Sequence, residues 1–344
     1  MRLVLCFVLV AACGDNRSNV DAKVGDGPAD VATDGNQLTP DTLFGTGLCV
    51  DKACTQISAD VHAYTPRFGL WADTAAKRRW IYLPPGNQID TTDMDHWVFP
   101  QGTKFWKEFT RGAVRVETRY IVKVGPGNTV NDWFYVAYQW NATEDDTIAV
   151  PSGVVNANGT AHDIPPRYLC KNCHENFQPT RILGFGAIQL DFANATAGEI
   201  DLDHAVTSAL LTTNPPGASS PHYPLPGTST DQAALGYMHA NCGHCHNPTS
   251  NVFLSNNVTM FLRLDVGALS AVNATPAYTT AVNQDPKFGI GSGTKLIVPM
   301  DLVNSIVIIR FESTNPAVWM PAAGHKTMDP TGDAALRAWI AGLI

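Results

Sequence analysis

The sequence predicts an α+β protein, with an antiparallel, sandwich-like β domain over 48–160 and a mainly helical, loop-rich domain over 161–344. Two observations carry this. Between residues 60 and 150, apolar and polar residues alternate with a period of two, which marks strands with one face in a core. After residue 160 that alternation fades, and two capped, amphipathic stretches appear near 231–240 and 330–342. A chain of 344 residues is long enough for two such cores.

The strands read as follows. Val114, Val116, Thr118, Tyr120, Val122 and Val124 alternate with Arg115, Glu117, Arg119 and Lys123, a half-buried strand. Phe134, Val136, Tyr138 and Trp140 repeat the pattern over 132–140, and Gly125, Pro126, Gly127 and Asn128 supply the turn between the runs. Trp97–Phe99 and Lys104–Phe109 add two more strands. His62 and His96 stand alone and read as surface or packing histidines. In the helical half, Thr230 or Asp231 can cap a helix that runs through Gln232 to His239 and leads into Cys242. Asp329 and Pro330 open a terminal helix whose Leu336, Trp339 and Ile340 share one face.

Residues 1–13 read as an export signal. Arg2 supplies one positive charge, Leu3 to Val10 are apolar, and Val10-Ala11-Ala12-Cys13 has the small residues of a lipobox, in which Cys13 would be lipidated. The alternative is a short secretory signal with a chance cysteine. Both place the protein outside the cytoplasm, in the periplasm or cell envelope, and the first adds a lipid anchor as its one membrane contact. Residues 14–47 are rich in Asp, Gly, Ala, Asn and Thr and read as a flexible linker. The net charge of −8, with no basic run, argues against nucleic acid and anionic lipid as partners.

Eight cysteines remain to be placed. Cys6 and Cys13 belong to the signal. Cys49 and Cys54 are expected to form a local disulfide in an oxidising compartment. The other four form two copies of one string, Cys170-Lys171-Asn172-Cys173-His174 and Cys242-Gly243-His244-Cys245-His246. Two thiols three positions apart can add to the two vinyl groups of one haem, and the adjoining histidine then reaches its iron. A shared zinc site would pair cysteines too far apart in sequence for a zinc ribbon and leave both histidines unexplained. A thioredoxin-like pair lacks its βαβ setting, and a disulfide within each pair would be strained.

Two covalent c-type haems are therefore expected, with His174 and His246 as iron ligands. The helix before Cys242, the Met320-Pro321 loop and the terminal helix follow the order of a class I cytochrome c. That order makes Met320 the second ligand of the second iron, with Met328 as its rival. The first haem has no such methionine; His239, His222, His204, His162 and Met238 are candidates, as is an open five-coordinate iron.

Further strings accompany the two motifs: Tyr64-Thr65-Pro66 with Phe68, Leu70, Trp71 and Asp73; Val98-Phe99-Pro100 with Gly102 and Thr103; Lys107; Arg115, Glu117 and Arg119; Leu183-Gly184-Phe185 with Gln189; Asn241; and Met320-Pro321. With them the chain, from about residue 60 to its end, resembles a family of exported bacterial dihaem c-type proteins. The resemblance implies haem binding and electron transfer by a β domain fused to a cytochrome c-like module. Ala322–Ala323 departs from it where a second proline is expected. The resemblance brings no substrate. An electron carrier with a redox protein partner is expected, against two alternatives: a dihaem peroxidase-like oxidoreductase, or a haem-bearing docking subunit of an electron-transfer complex.

Overall fold

The computed structural model describes residues 40–344 apart from 177–181 and 194–195; Cys13, the signal and most of the linker lie outside the described residues. The fold is α+β. Six strands, β1 (His62–Ala63), β2 (Ala76–Tyr82), β3 (Lys104–Arg111), β4 (Val114–Lys123), β5 (Trp133–Trp140) and β6 (Thr147–Ala149), form one antiparallel sheet in sequence order. Eight helices follow: α1 (Arg167–His174), α2 (Ala187–Leu190), α3 (Leu202–Thr207), α4 (Ser229–Asn241), α5 (Asn251–Asn256), α6 (Pro276–Ala281), α7 (Ile306–Phe311) and α8 (Pro330–Gly342).

One sheet, rather than the two of a sandwich, makes up the β half among the described residues. Segments without strand structure cover both of its faces. On one face Trp80, Trp106, Tyr120, Val136 and Tyr138 pack against Leu43, Leu48, Cys49 and Val61. Leu43 is 1% exposed, its backbone N–H donates to Thr147 Oγ1 at 2.8 Å, and the Trp106 indole donates to Thr46 Oγ1 at 2.9 Å. Residues 40–47, assigned by composition to the linker, therefore belong to the packed body. Cys49 and Cys54 form the expected disulfide, with Cα atoms 5.0 Å apart.

The opposite face carries Ile81, Phe105 and Tyr135, which join Tyr64, Trp97, Phe99, Ile182, Phe185 and Leu202 in a core shared with the helical half. This second cover corrects the reading of β4 as half-buried. Its charged positions are enclosed too: Glu117 is 0% and Lys123 1% exposed. Trp97–Phe99 forms no strand. It makes a single bridge, Asp90 to Val98, inside a loop that drives Trp97 and Phe99 under the sheet.

α4 starts one turn earlier than its composition suggests. Thr228 is the N-cap, and Asp231 answers it from the third helical position in a capping box, so Asp231 bonds the cap rather than being it. α8 begins after Asp329 as expected. The two helices pack together: the Trp339 indole donates to Asp231 Oδ1 at 3.1 Å, and Gly332 leaves room for the Tyr237 ring. Gly236 does the same for Phe68, where a Cβ would meet the ring at 2.1 Å. Gly236→Val is therefore expected to lower stability by about 1–3 kcal/mol through overpacking, read as a lower urea midpoint with an unchanged slope.

Candidate functional site

The first motif occupies α1, which starts where Pro166 fixes an extended residue and Arg167 N–H donates to Pro151 O at 2.8 Å. That bond ties the helix to the chain leaving the sheet. Cys170 packs against the core under the sheet, and the His174 ring lies 5.3 Å from that of Tyr135 on β5. Neither Cys170 nor Cys173 is in a disulfide. Burial raises both thiols above their ordinary range, against the pull of the Arg119 guanidinium.

The second motif begins at the C-cap of α4 and is held by residues 260–264. Leu262 N–H donates to His246 O at 2.9 Å, Leu264 N–H to His239 Nδ1 at 3.1 Å, and His246 Nδ1 lies 3.2 Å from Met260 O. These bonds decide what each histidine can do. A carbonyl can only accept, so His246 carries its proton on Nδ1 and presents Nε2 as a free donor atom. His239 is the reverse. Its Nδ1 accepts from an amide, so the neutral ring keeps its proton on Nε2. Burial pushes His246 down to about 4 and His239 down to about 3, which keeps both rings neutral. Gly243 is required by close approach: a Cβ there would lie 2.8 Å from both Arg263 Cα and His239 O.

The two motifs interlock. Asn176, two residues beyond His174, takes an N–H bond from Asn251 at 3.0 Å on its side-chain oxygen and one from Asn247 Nδ2 at 3.1 Å on its carbonyl. Its amide nitrogen lies 3.9 Å from Cys245 Sγ. Asn247 also donates to Gly243 O and His244 O, so one side chain spans both motifs. Beside them opens a half-enclosed cleft of about 490 Å³, mouth included, lined in part by Asp95, Gln189, His239, His244 and Arg263. Burial raises Asp95 to about 8, and its hydrogen bond with Asp265 reinforces the shift.

The remaining expected ligands are placed as follows. Met320 is half-buried, with its N–H on Arg310 O at 3.1 Å, and the charge of Arg310 acts on His246. Met328 is 37% exposed. His222 has both ring nitrogens engaged, on Pro216 O at 2.7 Å and Asp203 Oδ1 at 2.8 Å. His162 Nε2 is 2.7 Å from Glu117 Oε1, and Met238 is 0% exposed in the apolar core. Among the described residues, no group of three or more His, Cys, Asp or Glu side chains converges as a metal cluster; a haem iron, which takes one donor on each face, needs none.

Several residues that build the site carry no motif signal, including Asn176, Asn247 and the run Met260–Leu264. The apolar run after the second motif was the one visible cue. Others lie in strings already noted. Trp71 N–H donates to Asn241 Oδ1 at 2.7 Å, Gln189 Oε1 accepts from Phe68 N–H at 3.0 Å, and Asp73 accepts from Lys326 and Thr327 N–H. These bonds pin the sheet half to the second motif and to the loop beyond Met320.

The sheet face above the first motif is charged. Glu117 takes bonds from Arg119 at 2.6 Å and His162 at 2.7 Å. Burial alone would raise its carboxyl; Arg119 and His162 outweigh burial and hold it below the ordinary 4.5. No protein-family model, curated protein or solved structure matches the chain.

Because the folded value is depressed, the stability Glu117 contributes is complete above about pH 4.5 and is lost as pH falls through the lowered value. Glu117→Gln is expected to cost about 3–5 kcal/mol at pH 7 by stranding Arg119. Its deficit against the native chain should shrink in acid, as thermal melts at pH 7 and pH 3 would show. An equal deficit at both values would contradict the pairing.

Proposed function

We propose that the protein is an exported c-type cytochrome that carries electrons through two covalently held haems. The observation that carries this reading is the pairing of two unoxidised Cys-x-x-Cys-His strings across Asn176, one of them with its histidine tautomer fixed for ligation. Cys170 and Cys173 would hold one haem and Cys242 and Cys245 the other, with His174 and His246 as proximal ligands. The donor set fits the group: paired free thiols and a neutral imidazole with Nε2 available. Haem supplies an iron that changes oxidation state by one electron.

The chain's own residues would set how it does so. Met260 O polarises His246 through Nδ1–H and makes it a stronger donor. The packing of α4 on α8 supports a cytochrome c-like C-terminal module, in which His246 and Met320 would hold the iron of the second haem. A thioether ligand there favours the reduced iron and raises its potential. Met320 suits the role better than the exposed Met328. The first motif, which has no equivalent methionine loop, would hold the haem of lower potential. The His239 Nδ1 bond to Leu264 speaks against that residue as the sixth ligand. A second redox protein is the expected partner. Lipidation at Cys13 would keep the protein at the membrane, and Cys13→Ser should release it to the soluble envelope fraction.

The mature protein should exceed its polypeptide mass by two haems that survive acid–acetone extraction, and Cys242→Ala with Cys245→Ala should remove one. A chain purified from an export-competent, haem-loading host with no covalent haem would end this reading. Met320→Ala should abolish a weak far-red charge-transfer band in the oxidised protein and lower one potential, whereas Met328→Ala should do neither.

A further inference from the structure

Arg79 on β2, Lys107 on β3 and Arg119 on β4 are directly opposite one another across the sheet. They form a row of three cations on the face that covers the first motif. Like charges directly opposite in an antiparallel sheet are destabilising, and a buried charge is costly without a partner. Arg119 has Glu117. Arg79 is only 8% exposed, yet neither its guanidinium nor the half-buried Lys107 ammonium has a hydrogen-bonding or ion-pairing partner among the described residues. The Lys107 ammonium lies over the Phe109 ring, 4.9 Å from its centroid. Three basic side chains thus face one carboxylate, and burial together with the charges of Arg79, Arg119 and Lys77 pushes the Lys107 amine well below its ordinary range.

The row is beside the first motif. The charges of Arg119 and Lys107 act on Cys173, and that of Lys107 on His244. Cys170 feels Arg119 and Glu117. Below the row the face turns apolar, through Ile81, Phe105, Ile121 and Tyr135. That apolar part is already packed beneath Tyr64 and Phe185; the unmatched basic side chains beside the first motif fit the acidic edge of a ring that ends in two carboxylates.

We infer that Arg79, Lys107 and Arg119 receive the propionate carboxylates of the haem carried by Cys170, Cys173 and His174. The inference rests on the proposed haem reading and gives the β half a function in it. The sheet is then the wall that neutralises the acidic edge of the first haem. The unmatched charge is a binding site rather than a defect.

The full-length chain tests this with Lys107→Met, in the native background and in Cys170→Ala with Cys173→Ala, which keeps only the second haem. Where the first haem is present, Lys107→Met should lower the melting temperature by stranding a carboxylate. Where it is absent, the same change should raise it by relieving repulsion with Arg79. A shift of the same sign in both backgrounds overturns the inference.

A second reading comes from redox titration. Removing one cation near the first iron should lower its reduced-to-oxidised ratio about tenfold at a fixed ambient potential, leave the second haem unmoved, and be reversed by Lys107→Arg. If Lys107→Met does not accumulate, Arg79→Met gives both readings. Unchanged titration with two haems attached overturns the inference while leaving the cytochrome reading intact; absence of covalent haem overturns both. If inorganic phosphate stabilises both backgrounds equally, and Lys107→Met abolishes that effect, the row is a free-anion site and the inference fails.

Discussion

Glu117 stands fully buried on the central strand, and a buried carboxylate must be paired or lose its charge. Its two partners come from different places: Arg119 from the same strand, and His162 from the chain that leaves the sheet for α1. The charged cluster therefore fixes where the first Cys-x-x-Cys-His string begins its descent across the sheet. Pro166 and the Arg167–Pro151 bond then turn the chain into α1 with Cys170 already against the sheet. A purely apolar face would bury as much area but would not define one approach. Here the carboxylate selects the register in which both of its donors are met.

The second string is positioned by different means. Its backbone is too close to its neighbours to admit a side chain at Gly243. Its histidines are oriented by an extended segment whose alternate residues, Met260, Leu262 and Leu264, each offer one backbone group. Those three residues also point apolar side chains into or against the α4–α8 core. Packing and orientation thus depend on one segment, and loosening the core there would loosen His246 with it.

Much of this was legible beforehand, for definable reasons. The two Cys-x-x-Cys-His strings are local, with every residue that defines them within five positions, so spacing alone reveals them. β4, β5, α4 and α8 follow from periodicity and caps, which are also local. The single sheet in place of a sandwich was not legible, because alternation reports that a face is covered and not what covers it. β4 shows the limit: Arg115, Glu117, Arg119 and Lys123 read as a solvated face, although Glu117 and Lys123 are as buried as the valines between them. Asn176 and Asn247 escaped notice because an asparagine that bridges two segments looks, in sequence, like one in a turn. The His239 tautomer depends on the Leu264 amide, 25 positions away, which no local pattern records.

The asymmetry between the strings bears on direction. The first is set beneath a row of basic side chains on the sheet, whereas the cleft with Asp95 and Arg263 opens on His239 and on His244 of the second string. The second is backed by the apolar core of α4, α7 and α8, with Met320 alongside Arg310. An iron gains one positive charge on oxidation, so its potential follows the charge and polarity around it. The cationic row alone would destabilise ferric iron at the first string. Matched by two propionates, as inferred above, that row would be neutral in sum and would no longer raise the potential. The balance would then pass to the proposed iron ligands, where a Met320 thioether at the second string would outweigh an imidazole at the first. Electrons entering at the first string would run downhill through the Asn176 contact to the second. On the proposed reading, the sheet's contribution to that direction would be to cancel charge at the edge of the first haem.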